Sequence, residues 1–263
     1  MREELICCIK KDIKEVLRTG KLITMFALAF GIALMILGFT LFFSDIPEEL
    51  WSQLTAFNIE SLEDVIGSLY PRLARESTGI FAYYIGFFFS LVVVLMCFNI
   101  LPKERDAGKW VIPLQQGYEK GDIIISKCLV YGLTGAVSVF TSYIFYYIMA
   151  NIFMERNFPL GNALVCAVVH SLNLCLIIVY TMVFSMVYKN PVISALSMLA
   201  TVILVPDFAR YFSFGKLLPT HLLSFAYDSS NSYQELAAPI IVNICIFILI
   251  YLCKDILFKD REK

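Results

Sequence analysis

The chain has 263 residues, 59% of them hydrophobic and only 16% charged, with a mean hydropathy of +0.75 and a formal net charge of -1. Soluble domains are about half apolar and about a quarter charged, so this composition leaves no room for a sizeable soluble domain and excludes a cytosolic enzyme. The charges gather in short segments between long apolar stretches. That is the pattern of an all-α polytopic membrane protein, because crossing a hydrocarbon core of about 30 Å takes about 20 apolar residues.

Residues 1–21 set Arg2, Lys10, Lys11, Lys14, Arg18 and Lys21 against Leu5, Ile6, Ile9, Ile13, Val16 and Leu17 at helical spacing. This predicts a basic amphipathic helix; it fits the membrane interface or a solvated helix packed on the bundle, and its direct continuation into the first span favours the interface. Six spans are expected within residues 22–263, at 22–43, 80–101, 123–153, 160–188, 191–205 and 236–257. The first is too long for a signal-peptide core and no small-residue cleavage site follows it, so it reads as retained. The third and fourth exceed the required length and are expected to tilt or project. The fifth is short, with Pro191 suited to its start and Pro206 to its stop.

Orientation follows from the basic residues. With the N-terminus inside, sixteen of the 21 Lys and Arg fall on the inner side and five outside. An even number of spans also returns the C-terminal cluster of Lys254, Lys259, Arg261 and Lys263 to the inside. Both termini are therefore expected in the cytoplasm. Tyr83, Tyr84, Tyr143, Tyr146 and Tyr147 fall near the expected outer boundary, and Tyr188 and Tyr251 near the inner one, as an aromatic belt requires.

Two outer loops are long. Residues 44–78 are acidic and carry a helical stripe of Ile59, Leu62, Val65, Ile66 and Leu69, with Ser61 and Asp64 resembling a capping box. Residues 207–235 are apolar enough to predict short helices dipping into the outer leaflet. The eight cysteines all lie in spans or inner segments, so no disulfide framework is expected. Cys7 and Cys8 read as small hydrophobes on a buried face, ahead of a lipidated or metal-binding pair.

Chemistry-bearing motifs are missing from the sequence. There is no G-x-x-x-x-G-K-[ST], so the chain does not bind ATP through a P-loop, and no H-E-x-x-H, G-x-S-x-G or intramembrane aspartate pair. No catalytic residue, metal site, cofactor or nucleic-acid partner is expected. His170, in the fourth span, is near Asn173 and reads as a polar contact between helices. The near absence of ionisable groups within the spans argues against ion-coupled transport.

The segment from Leu101 to Lys127 is the most informative. It is short, charged and punctuated by Gly and Pro, with Asp122 suited to cap the third span and Trp110 to anchor at the interface. As a connector it reads as a rigid inner loop with a short helix. Glu104, Gly108, the 111–114 apolar stretch, the Gln116-Gly117 turn and Lys127 follow one another as in the permease subunits of ABC-2-type exporters. The chain resembles that bacterial family also in its amphipathic N-terminal helix, its six spans and Leu217-Leu218-Pro219 before the last span.

The resemblance implies a permease subunit of the plasma membrane that moves an amphiphilic substrate, such as a peptide antibiotic, drug or lipid-like molecule, outward. It implies two partners besides membrane lipid: a separate ATPase subunit and a second permease, identical or similar. The ATPase would dock on the loop carrying Glu104, Arg105, Asp106, Gly108, Lys109, Lys120 and Asp122. The alternatives are a stand-alone secondary transporter or channel, or a non-transporting membrane scaffold.

Overall fold

The computed structural model describes residues 2–44, 79–153, 160–188, 190–209 and 234–252, and these are helical apart from short turns. In chain order the elements are α1 (Arg2–Arg18), α2 (Lys21–Ser44), α3 (Gly79–Asp106), α4 (Val111–Gln115), α5 (Lys120–Phe153), α6 (Leu160–Val187), α7 (Pro191–Ala209) and α8 (Gln234–Leu252). Four of them contain stretches long and apolar enough to cross a membrane: Lys21–Leu41, Gly79–Asp106, Lys120–Phe153 and Ala163–Val187. Shorter apolar stretches occupy Pro191–Ile203 in α7 and Ala238–Ile250 in α8. Of the expected loop elements in 44–78 and 207–235, residues 45–78 and 210–233, with the capping box, lie outside the described residues, as does the C-terminal basic cluster.

Helix boundaries follow local chemistry. α1 does not run directly into α2. Gly20 has φ +71°, a left-handed conformation that breaks the helix at little cost only for glycine. At the start of α7, Asn190 Oδ1 accepts a hydrogen bond from the Val192 N–H at 2.9 Å and Pro191 occupies the first turn, where its missing N–H is not needed. Contrary to expectation, α7 passes Pro206 and ends at Ala209. Within α3, Tyr84–Phe89 forms a π-helical turn, and a turn at Phe98 and Asn99 offsets its last segment.

α5 is the central element, packing on α1, α2 and α6. Its approach to α6 depends on Gly132 and Gly135. A Cβ at Gly132 would stand 2.8 Å from Cys175 Sγ, and one at Gly135 would stand 2.5 Å from Ile178 Cδ1. Small residues at such crossings let helix backbones close up where lipid supplies no hydrophobic drive between helices. At the far end of α5 from Lys120, Phe81 of α3 stacks on Tyr146 at 4.2 Å between ring centroids and meets Tyr143 edge-on at 4.8 Å. Tyr143 and Tyr146 are buried. They therefore belong to the core, while Tyr83 and Tyr188 are exposed among the tyrosines expected to form a belt.

His170 is buried on α6, and its ring meets that of Tyr143 on α5 at 5.3 Å. Its interhelical contact is thus an aromatic edge, and neither ring nitrogen has a hydrogen-bond partner among the described residues. Asn173 sits on the same helix and is also buried.

Candidate functional site: a buried lysine among three carboxylates

α1 carries Cys8, Asp12, Glu15 and Val16 on the face it turns to α5. Asp12 and Val16 are one turn apart, and Glu15 joins them at the i+3 position, so one helical face delivers two carboxylates. α3 delivers a third from its last turns: Glu104 is buried, while its neighbours Lys103, Arg105 and Asp106 are exposed. Arg105 and Asp106 pair with each other at 3.1 Å on the surface, where such a contact contributes about 0–1 kcal/mol.

Lys127, two turns into α5, meets all three. Its ammonium lies 3.0 Å from Asp12 Oδ1, 3.1 Å from Glu15 Oε2 and 3.0 Å from Glu104 Oε1. An ammonium has three N–H donors and no acceptor, so three carboxylate partners satisfy it completely. With a side chain 1% exposed, Lys127 could not remain charged without such partners. The neighbouring Ser126 hydroxyl donates to the other Asp12 oxygen. Lys109 approaches Glu15 at 3.7 Å and Glu104 at 3.9 Å from the exposed side. One turn beyond Lys127, the Tyr131 hydroxyl accepts a hydrogen bond of 2.8 Å from Lys21, the first residue of α2. Four segments of the chain are pinned at one point: α1, the start of α2, the end of α3 and the start of α5.

The electrostatics of Glu15 reflect this setting. Burial pushes its carboxyl upward. The charge and hydrogen bond of Lys127, a hydrogen bond with Glu104 and the charge of Lys109 outweigh burial and hold it below the ordinary value of 4.5. A carboxylate depressed on folding contributes stability that is present above its unfolded value and lost as pH falls through the folded one. The share of α1 docking that rests on Glu15 should therefore persist from neutral pH down to the ordinary carboxylate range and weaken below it. Glu104, whose carboxyl burial pushes above the ordinary value despite Lys127, contributes in the opposite sense. Amide exchange of residues 2–18 against pH measures this, and Glu15→Gln should flatten the acid limb.

The connection between Glu104 and Lys127 forms a rigid projection. Gly108 (φ +68°) ends α3 and Gly117 (φ +92°) ends α4, each in a conformation that favours glycine. The Lys109 N–H returns to the Glu104 carbonyl at 3.1 Å. Trp110 is buried in the main core, so it anchors the loop to the bundle rather than to lipid. α4 then exposes Val111 at 51% and Ile112 at 65%. Of the residues expected to form a docking loop, Glu104 and Lys109 join the buried cluster, Gly108 sets the turn, and Arg105 and Asp106 stay on the surface. Lys120 is half-buried in the first turn of α5. Asp122 also lies within that turn and is buried, so it complements the helix dipole rather than capping the helix.

Asp12 and Glu15 are the members that sequence reading passed over. The signal was available: acids standing on the face of α1 that also carries Cys8 and Val16 need a buried cation. Cys7 is exposed and Cys8 buried, where burial, and then Asp12, push the Cys8 thiol up. No group of three or more His, Cys, Asp or Glu among the described residues could hold a metal. No family model, curated protein or solved structure matches the chain.

Proposed function

We propose that this chain is the membrane subunit of an ATP-driven exporter, with six spans, both termini in the cytoplasm of a bacterial cell, and a separate ATPase docked on α4. One observation carries the reading. The glutamate and lysine that bracket the 105–126 connection, Glu104 and Lys127, are paired at 3.0 Å inside the bundle, and the connection exposes Val111 and Ile112. A loop that only linked two spans needs neither a buried ionic clamp at its base nor apolar side chains at its tip.

In this reading the tip fits a pocket on the ATPase and the clamp transmits its movement. α4 itself is short, but its base is bound to α1, α3 and α5 together, so a push on the tip moves three helices rather than bending a linker. Two such subunits, identical or similar, flank the path of an amphiphilic substrate. The scarcity of ionisable groups within the spans supports an apolar path.

The test uses the chain purified in mild detergent from its own membrane with whatever ATPase accompanies it. Val111→Asp with Ile112→Asp should release the ATPase, weakening association by about tenfold or more, since apolar anchors at an interface centre are typically worth more than about 1 kcal/mol each. Glu104→Gln should keep the ATPase bound but reduce substrate-stimulated hydrolysis. If no ATPase accompanies the native chain, or if the Val111→Asp, Ile112→Asp variant retains it in full, the exporter reading fails.

A further inference from the structure

The charges of α1 are segregated by face. Its described acidic side chains, Glu4, Asp12 and Glu15, are buried or half-buried, whereas Lys10, Lys11, Lys14 and Arg18 are all exposed. None of these four cations makes an ion pair among the described residues, while Lys127 takes the carboxylates of Asp12 and Glu15. The described charges of the outward face are therefore cationic, and that face is not purely polar. Ile6, Ile13 and Leu17 are 49%, 44% and 58% exposed. At 100° per residue they fall within one narrow stripe beside Lys10 and Lys14.

The sequence pattern alone groups six apolar residues on one side of this helix. The structure divides them. Leu5, Ile9 and Val16 turn toward the bundle, and Ile6, Ile13 and Leu17 turn away from it. The second group stands outside the hydrophobic core. Only two residues separate α1 from α2, and the membrane-crossing stretch of α2 begins at Lys21. The chain length available keeps the C-terminal end of α1 close to the end of that apolar stretch, whichever leaflet it meets.

We propose that the outward face of α1 is a docking surface for anionic phospholipid, with Ile6, Ile13 and Leu17 inserted among the upper acyl chains and Lys10, Lys14 and Arg18 on the phosphates. An apolar stripe bordered by lysines fits such a surface, because apolar burial and attraction to negative headgroups act on the same helix. The inward face explains why the arrangement is stable without lipid: the Asp12 and Glu15 contacts to Lys127 hold α1 in the orientation that presents the cations outward. This surface does not depend on the exporter reading.

The test follows amide exchange of residues 2–18 in the full chain, in nanodiscs of phosphatidylcholine alone and of phosphatidylcholine with roughly one phosphatidylglycerol in three lipids. Each basic side chain near an anionic surface contributes roughly a factor of five in surface affinity. Exchange should be slower by about tenfold or more in the anionic discs. High salt, or the Lys10→Gln, Lys14→Gln, Arg18→Gln variant, should abolish the difference, with protection of α5 and α6 unchanged as the check that the fold persists. Ile13→Ser with Leu17→Ser should reduce protection in both kinds of disc.

Equal exchange of the native chain in the two discs would overturn the proposal without reference to any variant. So would protection reproduced by free glycerol phosphate added to neutral discs, which would mean a soluble phosphate site, or protection that appears only on adding a partner ATPase, which would mean an acidic protein surface.

Discussion

Replacing Lys127 with Met should be among the most damaging single changes in the described part of the chain. The substitution keeps an unbranched side chain of similar reach but leaves Asp12 and Glu104 buried without their main cation and removes one of the two lysines near Glu15. Removing one partner of a buried ion pair typically costs about 3–5 kcal/mol, because the remaining charge keeps its desolvation penalty. Lys109 is too exposed and too distant, at 3.7–3.9 Å, to replace the lost contacts. α1 should detach from α5. Cys8 reports this directly, since it is buried on the inward face of α1 whereas Cys7 is already exposed. Alkylation of Cys8 by a maleimide in the folded, detergent-solubilised chain should rise by about a hundredfold for a loss of about 3 kcal/mol. A purely electrostatic origin makes a second requirement. The combination Asp12→Asn, Glu104→Gln, Lys127→Met should restore much of the protection, because a buried ionic cluster replaced as a whole is often neutral in stability. If Lys127→Met leaves Cys8 as protected as in the native chain, the cluster does not hold α1 in place.

The architecture was readable from sequence where the signal was one of length and apolarity. The stretches assigned to the first four spans all lie in helices that can cross a membrane, because about 20 apolar residues in a row have few other uses. Faces were less readable. A hydrophobic pattern says that residues share a side of a helix, not which of two apolar environments that side meets. α1 therefore looked like one apolar stripe against one basic stripe, when protein covers Leu5, Ile9 and Val16 but not Ile6, Ile13 and Leu17. Trp110, Tyr143 and Tyr146 were misplaced for a related reason. Amphipathic rings suit the membrane interface, but they suit a core equally when helices meet at that depth, and sequence carries no record of which neighbours arrive there. The clamp was half visible: Glu104 and Lys127 stood out by their order in the chain, while their partners Asp12 and Glu15 lie more than 80 residues before Glu104 in sequence and are joined to it only by the tertiary fold.

Gly132 and Gly135 lead to the second large effect, and they separate packing from backbone preference. In a helix interior alanine is favoured over glycine by about 1 kcal/mol, so an added methyl should help unless space forbids it. At Gly135 the nearest atom is Ile178 Cδ1 at 2.5 Å, the far end of a side chain that can change rotamer, with Leu174 Cδ2 next at 3.2 Å. At Gly132 the nearest atom is Cys175 Sγ at 2.8 Å, on a short side chain, and the Cys175 carbonyl oxygen stands 3.7 Å away. That side chain has little length with which to yield, and the backbone is close beyond it. Gly135→Ala should therefore be nearly neutral, with the gain in propensity offsetting the shift of Ile178. Gly132→Ala should be destabilising by about 1 kcal/mol, and Gly132→Leu by about 3 kcal/mol or more as α5 and α6 are forced apart. Thermal unfolding in detergent gives the order of the three. Cys175→Ala supplies the decisive control, because it removes the obstructing sulfur and should make Gly132→Ala harmless without altering the response to Gly135→Ala. If Gly132→Ala remains equally costly in the Cys175→Ala background, contact with Cys175 does not set the spacing of the two helices. Because Lys127 lies little more than one turn before Gly132 on α5, Gly132→Leu should also loosen the ionic clamp, and alkylation of Cys8 would rise with it.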